Sequence, residues 1–454
     1  MITDYMELIE KIWSLNRVHV SDDTLMALRH TKELYQGSEL LSYPTGARFG
    51  ALGSWEIPPK WSVNHARLCT LSGRTVVDFN DYPLRLYSYS PSFEGTVKRA
   101  QLLQHITTDP DHPNAIPFHF RNQYRHWDCE WGFCLSQHEL DNLTEDEYQV
   151  EISTQFSDSQ LTQLEYVKKG HSEESYLLLG HFDHPAQCND GLTGCIVANE
   201  VIRRLQGKDT YYTYRALNSI EIIGSVAYCD TQPIETILEA LFIAAPGCDS
   251  DMAYQQSSQP NNSLIDQVVG HLFEYRNEPN ICTPFRELWG NDEVAFETPG
   301  VDIRCGLLAR HPLPGYHTSL DNFSSILPDK IEESIEFVLR IVDVVENNYQ
   351  VKSKYRGLPC FSHPSIDLYI DFYNLNATKL SDEELFRDLT GEEVDYVRSH
   401  PQLCHNLMNQ ISPLLTDGDS HTLLNIAKRT KLPFFFVRNY LSRLAEKSLI
   451  EFSR

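Results

Sequence analysis

Strand-like and helix-like patterns alternate along the central part of the chain. Four runs of apolar residues have the length and composition of buried strands, and three segments place apolar residues at helical spacing. The predicted strands are 175–180, 210–220, 241–247 and 302–309, and the predicted helices are 194–206, 233–240 and 328–348. Strands that alternate with helices indicate a layered α/β domain.

Different patterns on either side divide the chain into four segments. Residues 1–60 contain two predicted helices, the second of which begins at Ser21, a favourable N-cap. Short β-like runs separated by turn residues indicate a small β domain over 61–134, and 135–350 hold the α/β domain. Residues 376–454 end in the order helix, turn, helix, short strand, which is typical of a winged helix.

Composition and charge narrow the range of functions. Apolar residues make up 41% of the 454 and charged residues 22%, as in an ordinary globular protein. A formal net charge of −25 argues against a general nucleic-acid binder, because phosphate backbones require a basic surface. The eleven cysteines include no CxxC pair, the N-terminus lacks a signal-peptide pattern, and no apolar run approaches the ~20 residues of a membrane span. We therefore expect a soluble, cytoplasmic protein with reduced thiols.

Polar residues cluster where three of the predicted strands end. Directly after these strands come His181 with Asp183, then Glu221, and then Asp249 with Asp251. A lone histidine at a strand end is commonly just a capping residue, so the combination matters more than any member. Because ligands bind outside the carboxyl ends of strands in α/β sheets, these clusters are expected to converge on one site.

The side-chain types suit a zinc site. A neutral imidazole at His181 and a carboxylate at Asp190 are natural zinc ligands, and Asp183 could accept the other N–H of His181. Glu221 lies in an otherwise apolar run, where burial would raise its pKa towards neutrality and suit it to act as a general base. His317 lies in a loop bounded by Pro and Gly and is ligand-like by context only.

Several of these residues belong to longer motifs, and the chain contains RTVVDFNDYPLRLYSYS, NAIPFHF, EWGFCLS, HFDHPAQCNDGLTG, EIIGS and YHTSLDN. Together the motifs resemble bacterial aminopeptidase-like proteins of uncharacterised function, whose catalytic domain belongs to the zinc exopeptidase superfamily. The resemblance runs from about Trp55 to 350 and again in the tail. It implies an α/β fold with a mixed sheet flanked by helices, a small inserted β domain and a C-terminal winged-helix domain.

The resemblance also assigns roles to individual residues. It makes His181 the first metal ligand, Asp183 its supporting acid, Asp190 the bridging ligand, His317 the late ligand and Glu221 the general base. The ligands His181, Asp190 and His317 alone would satisfy the usual pattern of a catalytic zinc site.

The motifs leave the number of metal ions open, because the superfamily's paired glutamates are incomplete. Ile222 replaces the second glutamate, which is normally a ligand. One zinc is therefore expected, and a second would need Asp249 or Asp251, which fall near the second-metal aspartate. His184 is common to the uncharacterised group and could line the site or compete as a ligand.

Two further pairs bear on the substrate. Asp292 and Glu293 resemble the substrate-side acidic pair of the superfamily and could hold an α-amino group. Arg304 and Arg310 could instead hold a carboxylate. The choice between an amino-end and a carboxyl-end substrate stays open.

The resemblance implies a zinc-dependent aminopeptidase-like hydrolase that cleaves a peptide or amide bond in a small amino-acid-derived substrate. A cyclase or acyl-transfer enzyme of the same fold is one alternative. A non-catalytic binding or regulatory module is another, which the loss of the second glutamate would favour.

The C-terminal segment 376–454, called the tail, indicates which partners the protein could bind. Its mild basic charge permits DNA contact, but its apolar stripe better suits core packing or a docking face between domains or copies of the chain. The stripe consists of Phe434, Phe435, Val437, Leu441 and Leu444. The expected partners are thus a small peptide or aminoacyl amide and a second copy of the chain, without membrane or nucleic acid.

Overall fold

The computed structural model describes residues 2–371, 382–416 and 421–454. The chain forms two compact units, Met1–Gln259 with Ile281–Glu336 and Pro260–Asn280 with Phe337–Arg454. The predicted start of the tail domain at 376 lies outside the described residues. The four predicted segments are finer than these two units, and their boundaries stay predictions.

The described residues contain nineteen strands and fourteen α-helices. The strands are β1 (Glu39–Pro44), β2 (Arg48–Phe49), β3 (Trp55–Glu56), β4 (Lys60–Thr70), β5 (Thr75–Asp78), β6 (Phe93–Lys98), β7 (Ile106–Thr107), β8 (Phe133–Cys134), β9 (Glu147–Ser157), β10 (Gln160–Lys168), β11 (Ser175–His181), β12 (Thr213–Ser219), β13 (Ile237–Ala244), β14 (Asp251–Gln255), β15 (Asn280–Thr283), β16 (Arg304–His311), β17 (Gln350–Ser353), β18 (His421–Thr422) and β19 (Ile450–Ser453). The helices are α1 (Ile2–Ile12), α2 (Asp22–Leu34), α3 (Arg99–Leu102), α4 (Gln137–Asp141), α5 (Leu192–Leu205), α6 (Ile223–Thr231), α7 (Leu264–Phe273), α8 (Glu293–Phe296), α9 (Pro328–Asn347), α10 (Asp382–Leu385), α11 (Gly391–Ser399), α12 (Pro401–Leu414), α13 (Leu423–Thr430) and α14 (Phe434–Glu446).

The first unit is built on a mixed eight-stranded sheet in the order β1-β10-β12-β11-β13-β16-β14-β15. Its central strands β12, β11, β13 and β16 are parallel, whereas β10 and β14 run antiparallel to their neighbours. All residues of β11 are buried, as expected for a central parallel strand whose two faces are covered. The α/β fold with a mixed sheet and helices is confirmed.

One predicted helix is a strand. The spacing predicts a helix over 233–240, but Ile237–Ala244 form β13, which pairs with β11 and β16. Leu, Glu and Ala favour helices, and here pairing between two buried strands outweighs that preference. β13 also ends at Ala244, before the predicted strand end at 247.

A second sheet of the first unit has the order β5-β4-β9-β6. Its long antiparallel strands β4 and β9 contribute to an apolar cluster that includes Trp61, Leu68, Tyr148 and Val150. The β-rich pattern after residue 61 is thus part of a real sheet. β9 lies beyond the predicted range 61–134 because β4 takes a pairing partner on each of its edges.

In the second unit, β17 is the middle strand of a three-stranded sheet with β18 and β19. Helices α13 and α14 precede β19, so helix, turn, helix and strand follow in the predicted order, while the winged-helix assignment stays a prediction. The apolar stripe of the tail is buried within the single chain at Phe434, Phe435, Val437, Leu441 and Leu444. Among the described residues, no helix combines the length and apolar character needed to cross a bilayer.

Candidate metal centre

The loop between β11 and α5 carries most of the candidate ligands. β11 ends at His181, and His184 and Asp190 lie in the loop before α5. The turn into α5 requires glycine at 191, where φ is +100° and a Cβ would lie 1.9 Å from Cδ2 of His181. Gly191 thus allows Asp190 to lie against the His181 ring.

Asp190 lies among three imidazoles, one of which faces its Oδ1 and two of which face its Oδ2. Its Oδ1 is 3.1 Å from Nε2 of His181, and its Oδ2 is 3.2 Å from Nδ1 of His184 and 3.0 Å from Nε2 of His317. The opposite nitrogen of His184, Nε2, lies 3.3 Å from Oε2 of Glu221. His184 therefore belongs to both groups of candidate ligands, His181-His184-Glu221 and His184-Asp190-His317.

Three of these atoms lack the hydrogen bonds that buried polar groups usually make. Nδ1 of His184, Oδ2 of Asp190 and Nε2 of His317 are buried without a hydrogen-bond partner, although the oxygen lies so close to both nitrogens. In a tetrahedral zinc site, bonds of about 2.0–2.1 Å separate the ligand atoms by about 3.3–3.4 Å. The chemical types of the three atoms suit zinc, and the oxygen lies at 3.2 and 3.0 Å from the two nitrogens, close to that spacing.

A second carboxylate holds Asp190 in position. The two oxygens of Asp321 accept hydrogen bonds from the backbone N–H groups of Asn189 and Asp190, each at 2.8 Å. Burial raises the pKa of Asp321 to about 6, even though both hydrogen bonds favour its ionised form. In the sequence, Asp321 stands out only as part of YHTSLDN, because a carboxylate bound by backbone N–H groups has no signature of its own.

Glu221 lies at the edge of the cluster, with 15% of its side chain exposed. The Tyr124 hydroxyl donates a hydrogen bond to its Oε2. Burial raises the pKa of Glu221, but the hydrogen bond and positive charge of His184 outweigh burial and lower the pKa to about 2. The expected rise towards neutrality is therefore absent, because the neighbouring imidazoles keep this carboxylate ionised.

Asp183 has a partner that the sequence did not suggest. Its Oδ2 lies 3.2 Å from Nε2 of His19, and both side chains are fully buried. Its Oδ1 accepts a hydrogen bond from the backbone N–H of Glu221 at 2.8 Å. Nδ1 of His181 faces Oδ1 of Asn291 at 3.2 Å, in place of the predicted contact with Asp183. The support for His181 thus comes from a loop distant in sequence.

The predicted acidic pair is engaged by the protein itself. Asp292 accepts hydrogen bonds from the Ile222 backbone N–H at 3.0 Å and from the Ser225 hydroxyl, and burial raises its pKa to about 7. Glu293 is buried and pairs with Arg286 at 3.1 Å. Both carboxylates are buried, and Oδ2 of Asp292 has no hydrogen-bond partner, so their role towards a substrate stays a prediction.

The conformation of Ile222 explains why Asp292 is needed there. Ile222 has φ +57° and ψ −59°, which is strained for a β-branched residue. The hydrogen bond to Asp292 holds this turn, which directly follows Glu221.

The two predicted arginines also have partners within the fold. Arg310 is buried, donates to the carbonyl oxygens of Pro246 and Ser250, and pairs with Glu333 at 2.7 Å. Arg304 lies 3.9 Å from Glu297. These contacts give both arginines a structural explanation, and neither is brought to the imidazole cluster.

Asp249 and Asp251 are exposed and lie outside both groups of candidate ligands. The reason is the early end of β13 at Ala244, after which the buried turn through Cys248 separates both carboxylates from the strand end. The predicted second-metal role of these residues has no support in the described geometry.

Three residues that support the site have no motif of their own: Arg17, His19 and Tyr124. The fully buried guanidinium of Arg17 donates to the carbonyl oxygens of Phe182, His184 and Gln187 at 3.0, 2.7 and 2.7 Å. In the sequence, Arg17 and His19 directly precede the second predicted helix, and nothing distinguishes them from other basic residues.

Structural comparison defines the class of fold. A provisionally assigned peptidase from Clostridium acetobutylicum matches with a TM-score of 0.79 at 23% identity, over 100% of this chain and 96% of that one. A zinc aminopeptidase from Bacillus subtilis matches with a TM-score of 0.52 at 12% identity, over 76% of this chain and 95% of that one. The protein therefore has an aminopeptidase fold.

Sequence comparison gives the family. The chain belongs to the family described as a domain of unknown function, DUF4910, whose model matches residues 6–348. A relative from Clostridium acetobutylicum is 30% identical over 298 residues, which are 65% of this chain and 67% of the relative. That relative is provisionally described as a polysaccharide biosynthesis protein with an aminopeptidase-like domain.

Proposed function

We propose that the protein is a zinc-dependent hydrolase that cleaves a peptide or amide bond in a small amino-acid-derived substrate. The observation that carries this proposal is the set of three buried, unpartnered atoms on His184, Asp190 and His317. Two imidazole nitrogens and a carboxylate oxygen are the ligand types that zinc prefers. The aminopeptidase fold and the zinc aminopeptidase among the similar structures support the same class of reaction.

His184, Asp190 and His317 would hold the zinc. His184 would supply the ligand that Ile222 cannot, and His181 would face the other oxygen of Asp190. The motifs instead predicted His181, Asp190 and His317 as the ligands, so His184 takes the place of His181 in this set. Three protein ligands leave a coordination position open for substrate or water, as in other catalytic zinc sites.

When bound, zinc would polarise the scissile carbonyl and lower the pKa of a water molecule. Glu221 would accept the proton of that water at Oε1, because Oε2 already accepts from Tyr124 and faces His184, and would pass it to the leaving nitrogen. The Tyr124 hydroxyl orients the carboxylate at the edge of the ligand cluster. Asp321 would hold Asp190 in place through two backbone N–H groups.

The test begins with zinc content, measured by elemental mass spectrometry on the full chain. About one zinc per chain is expected, with loss in His184→Ala and His317→Ala and retention in His65→Ala, an exposed histidine that serves as the control. Retention of zinc in both ligand variants would refute the proposed site.

Catalysis needs a separate measurement. Glu221→Gln should bind zinc normally and lose hydrolysis of a panel of dipeptide amides by about 10²-fold or more, the scale of general base catalysis. Loss of zinc in this variant would make Glu221 a ligand and contradict its role as base. Absence of turnover by the zinc-loaded wild-type protein across the panel would refute the hydrolase proposal.

A further inference from the structure

A cavity of about 300 Å³ adjoins the candidate site in the first unit. Its aromatic and aliphatic walls are Trp55, Tyr124, Trp127 and Ile223, and its polar lining includes Glu56 and Gln123. The volume lies at the lower end of the range for small-molecule sites, so it suits one side chain better than a whole peptide.

Two of the walls connect the cavity directly to Glu221. The ring of Tyr124 lines the cavity while its hydroxyl donates to Oε2 of Glu221. Ile223 follows Glu221 by two residues, at the start of α6. Tyr124 therefore contacts both the cavity and the proposed base.

Two of the walls, Tyr124 and Trp55, are held in place by other contacts within the protein. The ring of Tyr124 makes an edge contact with His19 at a centroid distance of 4.9 Å, in addition to its hydrogen bond with Glu221. Trp55 is paired with Phe49 between β3 and β2. A preformed cavity of this kind loses little entropy when it binds a ligand.

Two of the polar lining groups, Glu56 and Gln123, already have partners within the protein. Glu56 pairs with Arg48 at 2.6 Å, and Oε1 of Gln123 accepts a hydrogen bond from the backbone N–H of His19 at 3.2 Å. With its charge neutralised by Arg48, Glu56 is poorly suited to select a cationic ligand. The surfaces available to a ligand are then chiefly the aromatic rings and the side chain of Ile223, with the imidazole of His126 beside them.

The exposure of Trp127 agrees with a binding role. Its side chain is 60% exposed, in a 3-10 turn at the cavity edge. Large exposed aromatic residues beside a cavity commonly mark binding surfaces, and aromatic rings pair favourably with one another in offset or edge arrangements.

We propose that this cavity is a specificity subsite that binds an aromatic side chain of the substrate next to the scissile bond. This inference rests on the proposed function, because only a hydrolase has a scissile bond. Binding of an aromatic group in the cavity can nevertheless be tested separately. Offset and edge contacts with Trp55, Tyr124 and Trp127 would favour an aromatic group over a small or charged one.

The test uses the full-length, zinc-loaded protein and dipeptide amides with alanine, leucine, phenylalanine or lysine on either side of the bond. At one of the two positions, kcat/KM should be about 10–100-fold higher for phenylalanine than for alanine, the discrimination that an apolar pocket typically gives. Trp127→Ala should reduce this ratio about tenfold, and Trp127→Phe should retain most of it. Leu71→Ala, with the same 60% exposure, is the matched control and should leave activity unchanged.

The possible results separate the two proposals. A phenylalanine-to-alanine ratio near one at both positions, a preference for lysine, or an equal loss for every substrate in Trp127→Ala would overturn the subsite while leaving the hydrolase intact. If no dipeptide amide is cleaved, binding of phenylalanine amide and alanine amide is compared by calorimetry. Binding of phenylalanine amide about tenfold tighter, with the difference lost in Trp127→Ala, would support the subsite even though the hydrolase proposal had failed. Equal binding of the two amides would overturn it.

Discussion

Replacing Arg17 by methionine should destabilise the first unit and weaken zinc binding together. Arg17 is fully buried, and burial lowers its pKa to about 10, so it is still charged at neutral pH. Its guanidinium joins the end of α1 to the loop that carries His184, by hydrogen bonds to the carbonyl oxygens of Ile12, Trp13, Phe182, His184 and Gln187. Methionine fills much of the same space but donates none of these bonds.

The size of the effect follows from the three carbonyls in the loop. Each buried carbonyl that loses its partner costs about 1–1.5 kcal/mol net, so the free energy of unfolding should fall by about 3–5 kcal/mol in Arg17→Met. The carbonyls at the end of α1 add less if water reaches them. Arg17→Lys keeps the charge but has three donors instead of five, and we expect a loss of about 2 kcal/mol. Because the loop carries a proposed ligand, zinc affinity should fall about 10–100-fold in Arg17→Met.

Two measurements check this prediction. Urea unfolding followed by tryptophan fluorescence gives the change in stability, and competition with a chelator gives the zinc affinity. Arg67→Met is the control, because Arg67 forms an exposed ion pair with Asp78, and exposed pairs contribute little to stability. If Arg17→Met unfolds at the same urea concentration as wild type and binds zinc equally well, the loop does not depend on Arg17 and the reasoning is wrong.

Three further predictions concern other contacts. Gly191→Ala should lose zinc and lower the melting temperature, because the new Cβ would lie 1.9 Å from Cδ2 of His181; an unchanged metal content would contradict this. Asp321→Asn can accept only one of its two backbone hydrogen bonds, so we expect a loss of about 1–3 kcal/mol in stability and weaker zinc binding, measured by the same unfolding and chelator assays. Burial lowers the pKa of His271 to about 3, so its contribution to stability is complete above pH 6.5 and is lost as the pH falls towards 3. Between pH 7 and 4.5, wild type should therefore lose about 2–3 kcal/mol more than His271→Leu in urea unfolding, and equal losses would show that His271 is not buried as a neutral group.

The sequence predicted the parts of the fold that depend on local pattern. β11 is apolar throughout and has polar residues at its end, so its position and the location of His181 could be read directly. The long amphipathic α9 was equally clear. The first half of β13 was assigned to a helix because its leucine, glutamate and alanine residues also suit a helix, and only pairing with two neighbouring strands decides the outcome.

The candidate site was predictable in residue type but less so in geometry. His181, Asp190, Glu221 and His317 are brought together, although their roles stay predictions. Which imidazole faces which oxygen of Asp190 depends on side-chain directions that no spacing rule contains, so the central position of His184 could not be derived.

Contacts between segments distant in sequence could not be predicted from local patterns either. The hydrogen bond from Tyr124 to Glu221 joins residues 97 positions apart, and no local pattern distinguishes that tyrosine from others. The exposed positions of Asp249 and Asp251 likewise follow from where β13 ends, which the pattern misjudged.

The contacts of Arg17 also have a consequence for the order of folding. Its three partners in the loop lie 165, 167 and 170 residues later in the chain. Bringing segments this far apart into contact costs about 4–5 kcal/mol in loop-closure entropy, which must be recovered from the rest of the unit. During synthesis, Arg17 therefore lacks these partners until the loop after β11 has been made. The loop of His184 can take its final shape only after that closure, so zinc uptake should be a late event that reports completion of the first unit.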